Sequence, residues 1–182
     1  MMTADLAREI HAGNIAAGWW PPQRNRPEIL MLVVSEIGEA SEGYLGDLMD
    51  DKLPHWPMFD VELGDTAIRL YDVIGSDAID HLPDLVALAT QSHEELIDLN
   101  TYDVQGDLMM IVRHVCRAME HHRKGRTPEY ALALWRSLAA VHTVAIAHGV
   151  NLDAVIREKR AFNLIRADHQ PEARQAVGGK AY

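Results

Sequence analysis

The sequence predicts an all-α helical bundle, and three observations carry that prediction. Apolar residues recur with the 3.6-residue helical period in almost every long segment. No stretch sustains polar/apolar alternation between hairpin turns, and capping or stop residues flank most of the periodic stretches. The first helix is expected over about Thr3 to Ala17, closing at Gly18 before Trp19, Trp20, Pro21 and Pro22 force a loop. Pro27 suits the first turn of a second helix, where a missing N–H costs nothing. That helix runs through Leu30, Val33, Val34 and Ile37 to about Tyr44, and 46–57 reads as a loop. A third helix spans about Phe59 to Ile74, with Gly75 as its stop. Pro83-Asp84 opens a fourth, to about Leu99, and Gly106 precedes a fifth, to about His122. Thr127-Pro128-Glu129 reads as cap, proline and acid, starting a sixth helix that His148-Gly149 ends. A last helix begins at Asn151 and reaches about Arg166, and 170–182 reads as a loose tail.

Composition narrows the function classes. The chain has 182 residues, 48% of them apolar, and a formal net charge of −10, which fits one domain of 1–182 or two small halves sharing a core. With a pI near 5.4 and no Lys/Arg block, it lacks the basic face that displaces counterions from polymeric nucleic acid. The longest unbroken apolar run, Ile29 to Val34, is far below the roughly 20 residues of a membrane span, so no membrane partner is expected. Asp5, Arg8 and Glu9 interrupt any signal-like stretch, and the single Cys116 has no disulfide partner within the chain. A cytoplasmic setting is expected. Cys116 is read as a buried thiol beside Val112 and Val115.

Residues 30–42 (LMLVVSEIGEASE) align without a gap on 108–120 (LMMIVRHVCRAME), with five identities in thirteen positions. Each stretch is followed by a turn, another helix and a glycine, Gly75 or Gly149. Either two helix-hairpin halves, about 26–99 and 106–166, arose by duplication, or two amphipathic helices share periodicity alone.

The most specific chemical feature is a pair of acidic motifs, Glu36-Ile-Gly-Glu39 and Glu62-Leu-Gly-Asp65. An i,i+3 spacing places two carboxylates about 60° apart on one helix face. Both pairs stand among core-type residues: Val33, Val34 and Ile37 for the first, and Val61, Leu63 and Ile68 for the second. A carboxylate beside a buried stripe must be paired or bound to metal. If the second and third helices pack antiparallel, the four acids form an all-oxygen site, which favours Mg²⁺ or Mn²⁺ over zinc. The plain alternative is two solvated acidic faces. Asp72, two turns beyond Asp65, joins that shell or forms an ion pair with Arg69 or another cation. His114, Cys116, His121 and His122 lack the i,i+3 or i,i+4 spacing of a zinc site. Neither Glu-x-x-His nor His-Asp occurs, and Gly178-Gly179-Lys180 is not a phosphate loop.

These motifs resemble the MazG-like nucleoside triphosphate pyrophosphohydrolases of the all-α NTP pyrophosphatase superfamily, whose hallmark is ExxE on one helix followed by ExxD on the next. Two further stretches are similar: Asn14-x-x-x-Gly18-Trp19-Trp20 near the start, and Lys159-x-x-x-Asn163-x-x-Arg166 with Gly178-Gly179-Lys180 near the end. The likeness covers roughly 8–75 and 149–180. It departs where Ser35 stands in place of a Glu found before the first motif in many members, and in the long middle segment 76–148. The resemblance implies a homo-oligomer, dimer or tetramer, that cleaves a nucleoside triphosphate to monophosphate and pyrophosphate by attack at the α-phosphorus. Glu36, Glu39, Glu62 and Asp65 would hold the metal that activates the water. Lys159 and Arg166 would grip the β- and γ-phosphates and Asn163 the sugar or base. Trp19 or Trp20 either stacks on the base or plugs the first helix onto the bundle. Aligning the halves maps the first acid pair onto His114 and Arg117 and the second onto Arg136 and Ala139. The site is therefore expected to be composite, with acids from one half and Lys159, Asn163 and Arg166 from the other, as in the related dimeric dUTPases. A noncatalytic nucleotide-sensing or partner-binding protein and a phosphoribosyl-ATP pyrophosphohydrolase-like enzyme are the alternatives.

Overall fold

The computed structural model describes residues 3–20, 24–78, 103–169 and 173. The described residues form six α-helices: α1 (Ala4–Ala16), α2 (Arg26–Gly46), α3 (Met58–Asp77), α4 (Val104–Arg123), α5 (Thr127–Ala147) and α6 (Leu152–Ile165), followed by a short 3₁₀ turn, Ala167–His169. The expected helix at 83–99 and the Gly178-Gly179-Lys180 tail lie outside the described residues. Among those described there is no strand, only an isolated bridge between Met49 and Pro57.

The ends of the helices follow local chemistry, with instructive exceptions. Thr3 Oγ1 accepts from the Leu6 N–H at 3.1 Å, and Asn151 Oδ1 accepts from the Ala154 N–H at 3.2 Å, each side chain satisfying an orphan donor of the first turn. Gly106 does not precede its helix. Asp103 caps α4 through the Gln105 N–H at 3.0 Å, and Gly106 sits within the first turn. Thr127 is not a cap either, since α5 begins at Thr127 itself, after Arg126. Gly46 stays helical, and Asp47 takes the left-handed position at φ 48°.

Helix α3 is the axis of the molecule. It packs against α2, α5, α1 and α6, and α2 and α4 close the other side. Twelve of its twenty residues are buried, among them Leu63, Leu70, Tyr71, Val73 and Ile74. Two glycines permit the close crossings. A Cβ on Gly64 would lie 2.6 Å from Val155 Cγ1 of α6, and one on Gly75 would lie 2.4 Å from the Ala7 carbonyl oxygen of α1. Gly75 is therefore a packing glycine inside α3 rather than a helix stop, whereas Gly149, at φ 72°, does end α5. The two positions are not structural equivalents, and the mapping of Glu62 onto Arg136 and Asp65 onto Ala139 loses its anchor.

The match between 30–42 and 108–120 fares better. Leu30 and Leu108, Val33 and Ile111, Ile37 and Val115, and Ala40 and Ala118 are all buried, while Met31 and Met109, Gly38 and Cys116, and Glu39 and Arg117 are all exposed. Cys116 is thus a solvent-facing thiol, contrary to the sequence expectation. The stripe Ile111, Val115 and Ala118 takes the core, and residue 116 is turned about 100° from Val115. The most apolar helix, α5, has the length and composition of a membrane span. Yet 67% of that stretch is buried in this bundle, with Trp135 and Leu138 fully enclosed.

Candidate metal centre

Antiparallel packing of α2 on α3 brings the acidic motifs together, with Tyr44 against Phe59 at one end and Arg26 on Asp77 at the other. Glu36 projects from α2 toward α3, where it is 6% exposed, and Glu62 on α3 is 5% exposed. One ligand-type oxygen from each of Glu36, Glu62 and Asp65 lies within 4.8 Å of the others. Glu39 is not in this cluster. The 60° separating it from Glu36 turns it out of the helix interface to an exposed position. The structure therefore gathers three of the four expected carboxylates.

Two cations guard them. Arg69, one turn beyond Asp65, reaches across to Glu36 Oε1 with both Nε and Nη2 at 2.5 Å. Lys159 of α6 places Nζ 2.8 Å from Asp65 Oδ2. Burial pushes the Glu62 carboxyl up to about 9, helped by the Asp65 charge, by a hydrogen bond its protonated form donates to Glu36 and by the Glu36 charge, with Lys159 opposing. Asp65 is raised to about 6 by burial, with Lys159 acting against it. Glu39 is also raised, by partial burial and by Glu36, and Arg69, Lys52 and Lys159 lower it. Glu62 Oε2 is buried with no donor to accept from among the described residues. A buried carboxylate oxygen in that state is costly unless a shared proton or a cation meets it.

Arg69 was not read from the sequence as part of the site, and it does not pair with Asp72. Asp72 accepts from Trp20 Nε1 at 2.9 and 3.0 Å and bonds His11 Nδ1 at 2.8 Å, outside the carboxylate cluster. Trp20 is accordingly a plug. Its ring meets His11 edge-on and packs on the core, and Arg26 lies 4.8 Å from its centroid. Trp19 contacts His169 at 5.0 Å, and the Asn14 carbonyl accepts the Trp19 N–H at 2.9 Å in the turn that closes α1. Neither tryptophan nor Asn14 belongs to the carboxylate cluster.

On α6, Lys159 and Asn163 share a face one turn apart. Asn163 Oδ1 is buried without a partner among the described residues. Arg166 lies just past α6, in extended backbone. The 47–57 connection docks beside them. Asp50, 2% exposed, holds its own turn by accepting from the Lys52 and Leu53 N–H groups at 3.0 and 2.6 Å. Trp56 Nε1 donates to Glu158 at 2.8 Å, and His55 Nε2 lies 2.6 Å from the same carboxylate. Leu53, Val61 and Val155, with Trp56 and Phe162, form a small apolar cluster under this contact. The sequence signal for this docking is Leu53 and Trp56, the two apolar residues of the 47–57 loop that join the small cluster with Val155 and Phe162.

Against this geometry, a scan of protein-family models and searches of curated proteins and of solved structures all returned no match.

Proposed function

We propose that the protein is a Mg²⁺- or Mn²⁺-dependent nucleoside triphosphate pyrophosphohydrolase that converts a (d)NTP and water into the (d)NMP and pyrophosphate. The observation that carries this reading is Glu62 Oε2, buried without a donor among the described residues, inside a cluster of three carboxylates on two helices. Glu36, Glu62 and Asp65 would hold the cation, and the all-oxygen donor set suits a hard ion. When bound, such an ion neutralises phosphate charge and lowers the pKa of a water. The water oxygen would bond to the α-phosphorus and give up a proton to the surrounding water, while the bond from that phosphorus to the bridging oxygen breaks and its electron pair leaves with pyrophosphate. Lys159, Asn163 and Arg166 would serve the substrate from α6 and its end, and Glu39 stands exposed beside the cluster. The same reading includes a homo-oligomer, for which exposed Tyr44, Leu45, Leu48 and Met49 at the end of α2 supply an apolar surface.

A noncatalytic nucleotide-binding reading draws on one observation, that Arg69 and Lys159 already neutralise Glu36 and Asp65. Product analysis of ribo- and deoxynucleoside triphosphates with Mg²⁺, beside a Glu62→Gln control, separates the two. Monophosphate plus pyrophosphate, lost in the control, is the expected outcome. Nucleotide binding without turnover would decide for the alternative.

A further inference from the structure

Lys159 is badly placed to grip a phosphate as it stands. Its side chain is 3% exposed, with Nζ on Asp65. Burial acts to lower its pKa, but the Asp65 charge and hydrogen bond, with Asp50 and Glu62 behind them, hold the ammonium charged. The two guarding cations differ in their hold. Arg69 grips Glu36 through two nitrogens of a planar fork. Lys159 has one ion-pair partner among the described residues and a flexible four-carbon stem.

We propose that Lys159 and a divalent cation compete for Asp65, so that cation binding frees the Lys159 ammonium and delivers it to the substrate's phosphate chain. This inference rests on the metal-site reading above. A cation on Asp65 would share one carboxylate with the ammonium, two positive centres a few ångströms apart with little water between them to screen the repulsion. The single-point contact is the one that yields. The α6 backbone stays in place during the exchange, because Val155 is seated on Gly64 and Glu158 is tied to Trp56 and His55. Only the side chain moves. The exchange couples the two halves of the chemistry: the phosphate-binding charge becomes available when the metal-binding acids are engaged.

Lysine reactivity reads this directly on the full wild-type chain. It has four lysines, Lys52, Lys124, Lys159 and Lys180, so reductive methylation followed by peptide mass spectrometry resolves each one. Calorimetry with Mg²⁺ alone runs in parallel. Without added cation, Lys159 is expected to resist labelling while Lys124, 40% exposed, reacts. Saturating Mg²⁺ should raise Lys159 labelling about tenfold and leave Lys124 unchanged. If calorimetry shows binding but Lys159 stays protected, or if Lys159 reacts as fast as Lys124 before cation is added, the exchange is overturned and the metal site stands. If no Mg²⁺ binds, the metal-site reading fails and the exchange fails with it. Lys159→Met gives an independent check. Losing the competitor should tighten Mg²⁺ binding about tenfold, and weaker binding in that variant would overturn the exchange.

Discussion

The α2–α3 and α4–α5 hairpins solve one packing problem with two different outcomes. Helices α2 and α4 share their burial at ten of thirteen aligned positions, and Leu32/Met110, Glu36/His114 and Glu42/Glu120 are the three that differ. The first hairpin has Glu36 and Glu39 where the second has His114 and Arg117, and it connects its helices by eleven residues (47–57) rather than three (124–126). The apolar stripe thus specifies how the helices pack, and the carboxylate cluster depends on a few polar positions at the helix interface, beside the longer connection that docks on α6.

The largest expected contrast comes from chemistry. Glu62→Gln should cut turnover by at least about 10²-fold, read by steady-state product formation. Arg117→Ala, at the position matching Glu39 on the second hairpin, should change it less than about twofold, and a comparable loss there would end the asymmetry. The two glycines once read as equivalents make the next contrast. Gly75→Val forces α1 off the Ala7 carbonyl oxygen and should cost about 1–3 kcal/mol in urea unfolding. Gly149→Ala strains only a positive φ and should cost about 1 kcal/mol.

A third contrast lies in pH. The folded Glu62 carboxyl is raised from 4.5 to about 9, so the folded state holds a proton that the unfolded chain releases earlier. That contribution is full below about pH 4.5 and is lost as pH climbs toward 9. In a chelator, the melting temperature should therefore decline across this window, and Glu62→Gln should flatten the decline. Mg²⁺ affinity should move the other way, rising with pH as the carboxyl ionises. The smallest effect belongs to Glu39→Gln, which should lower turnover less than about tenfold because Glu39 stands outside the cluster. A loss equal to that of Glu62→Gln would bring Glu39 into the metal shell.

Much of this was legible in the sequence. Helical periodicity located the six described helices to within a few residues, and the ExxE and ExxD spacing located Glu36, Glu62 and Asp65. The spacing could not tell that Glu39 faces solvent, since two carboxylates 60° apart straddle the edge of an interface whose position depends on the partner helix. Arg69 on Glu36, Lys159 on Asp65 and Trp20 on Asp72 were hidden for a related reason. Each joins residues 33 to 94 positions apart, and such pairs follow from helix register, which a single sequence does not record. Gly75 misled because a glycine at a tight crossing and a glycine at a helix end look alike as letters.

The attachment of α6 to α3 also fixes an order of events during synthesis. The carboxylates are made early and face one another as soon as α2 and α3 pair, whereas Lys159 emerges 94 residues after Asp65. At about 5–20 residues per second, the growing chain carries this acidic notch for about 5–20 s before its own ammonium exists. During that interval Arg69, made with the same hairpin, is already set against Glu36, and Asp65 has no such partner yet. Asp65 is therefore the acid that waits for its counter-charge, which exists only once residue 159 has been made.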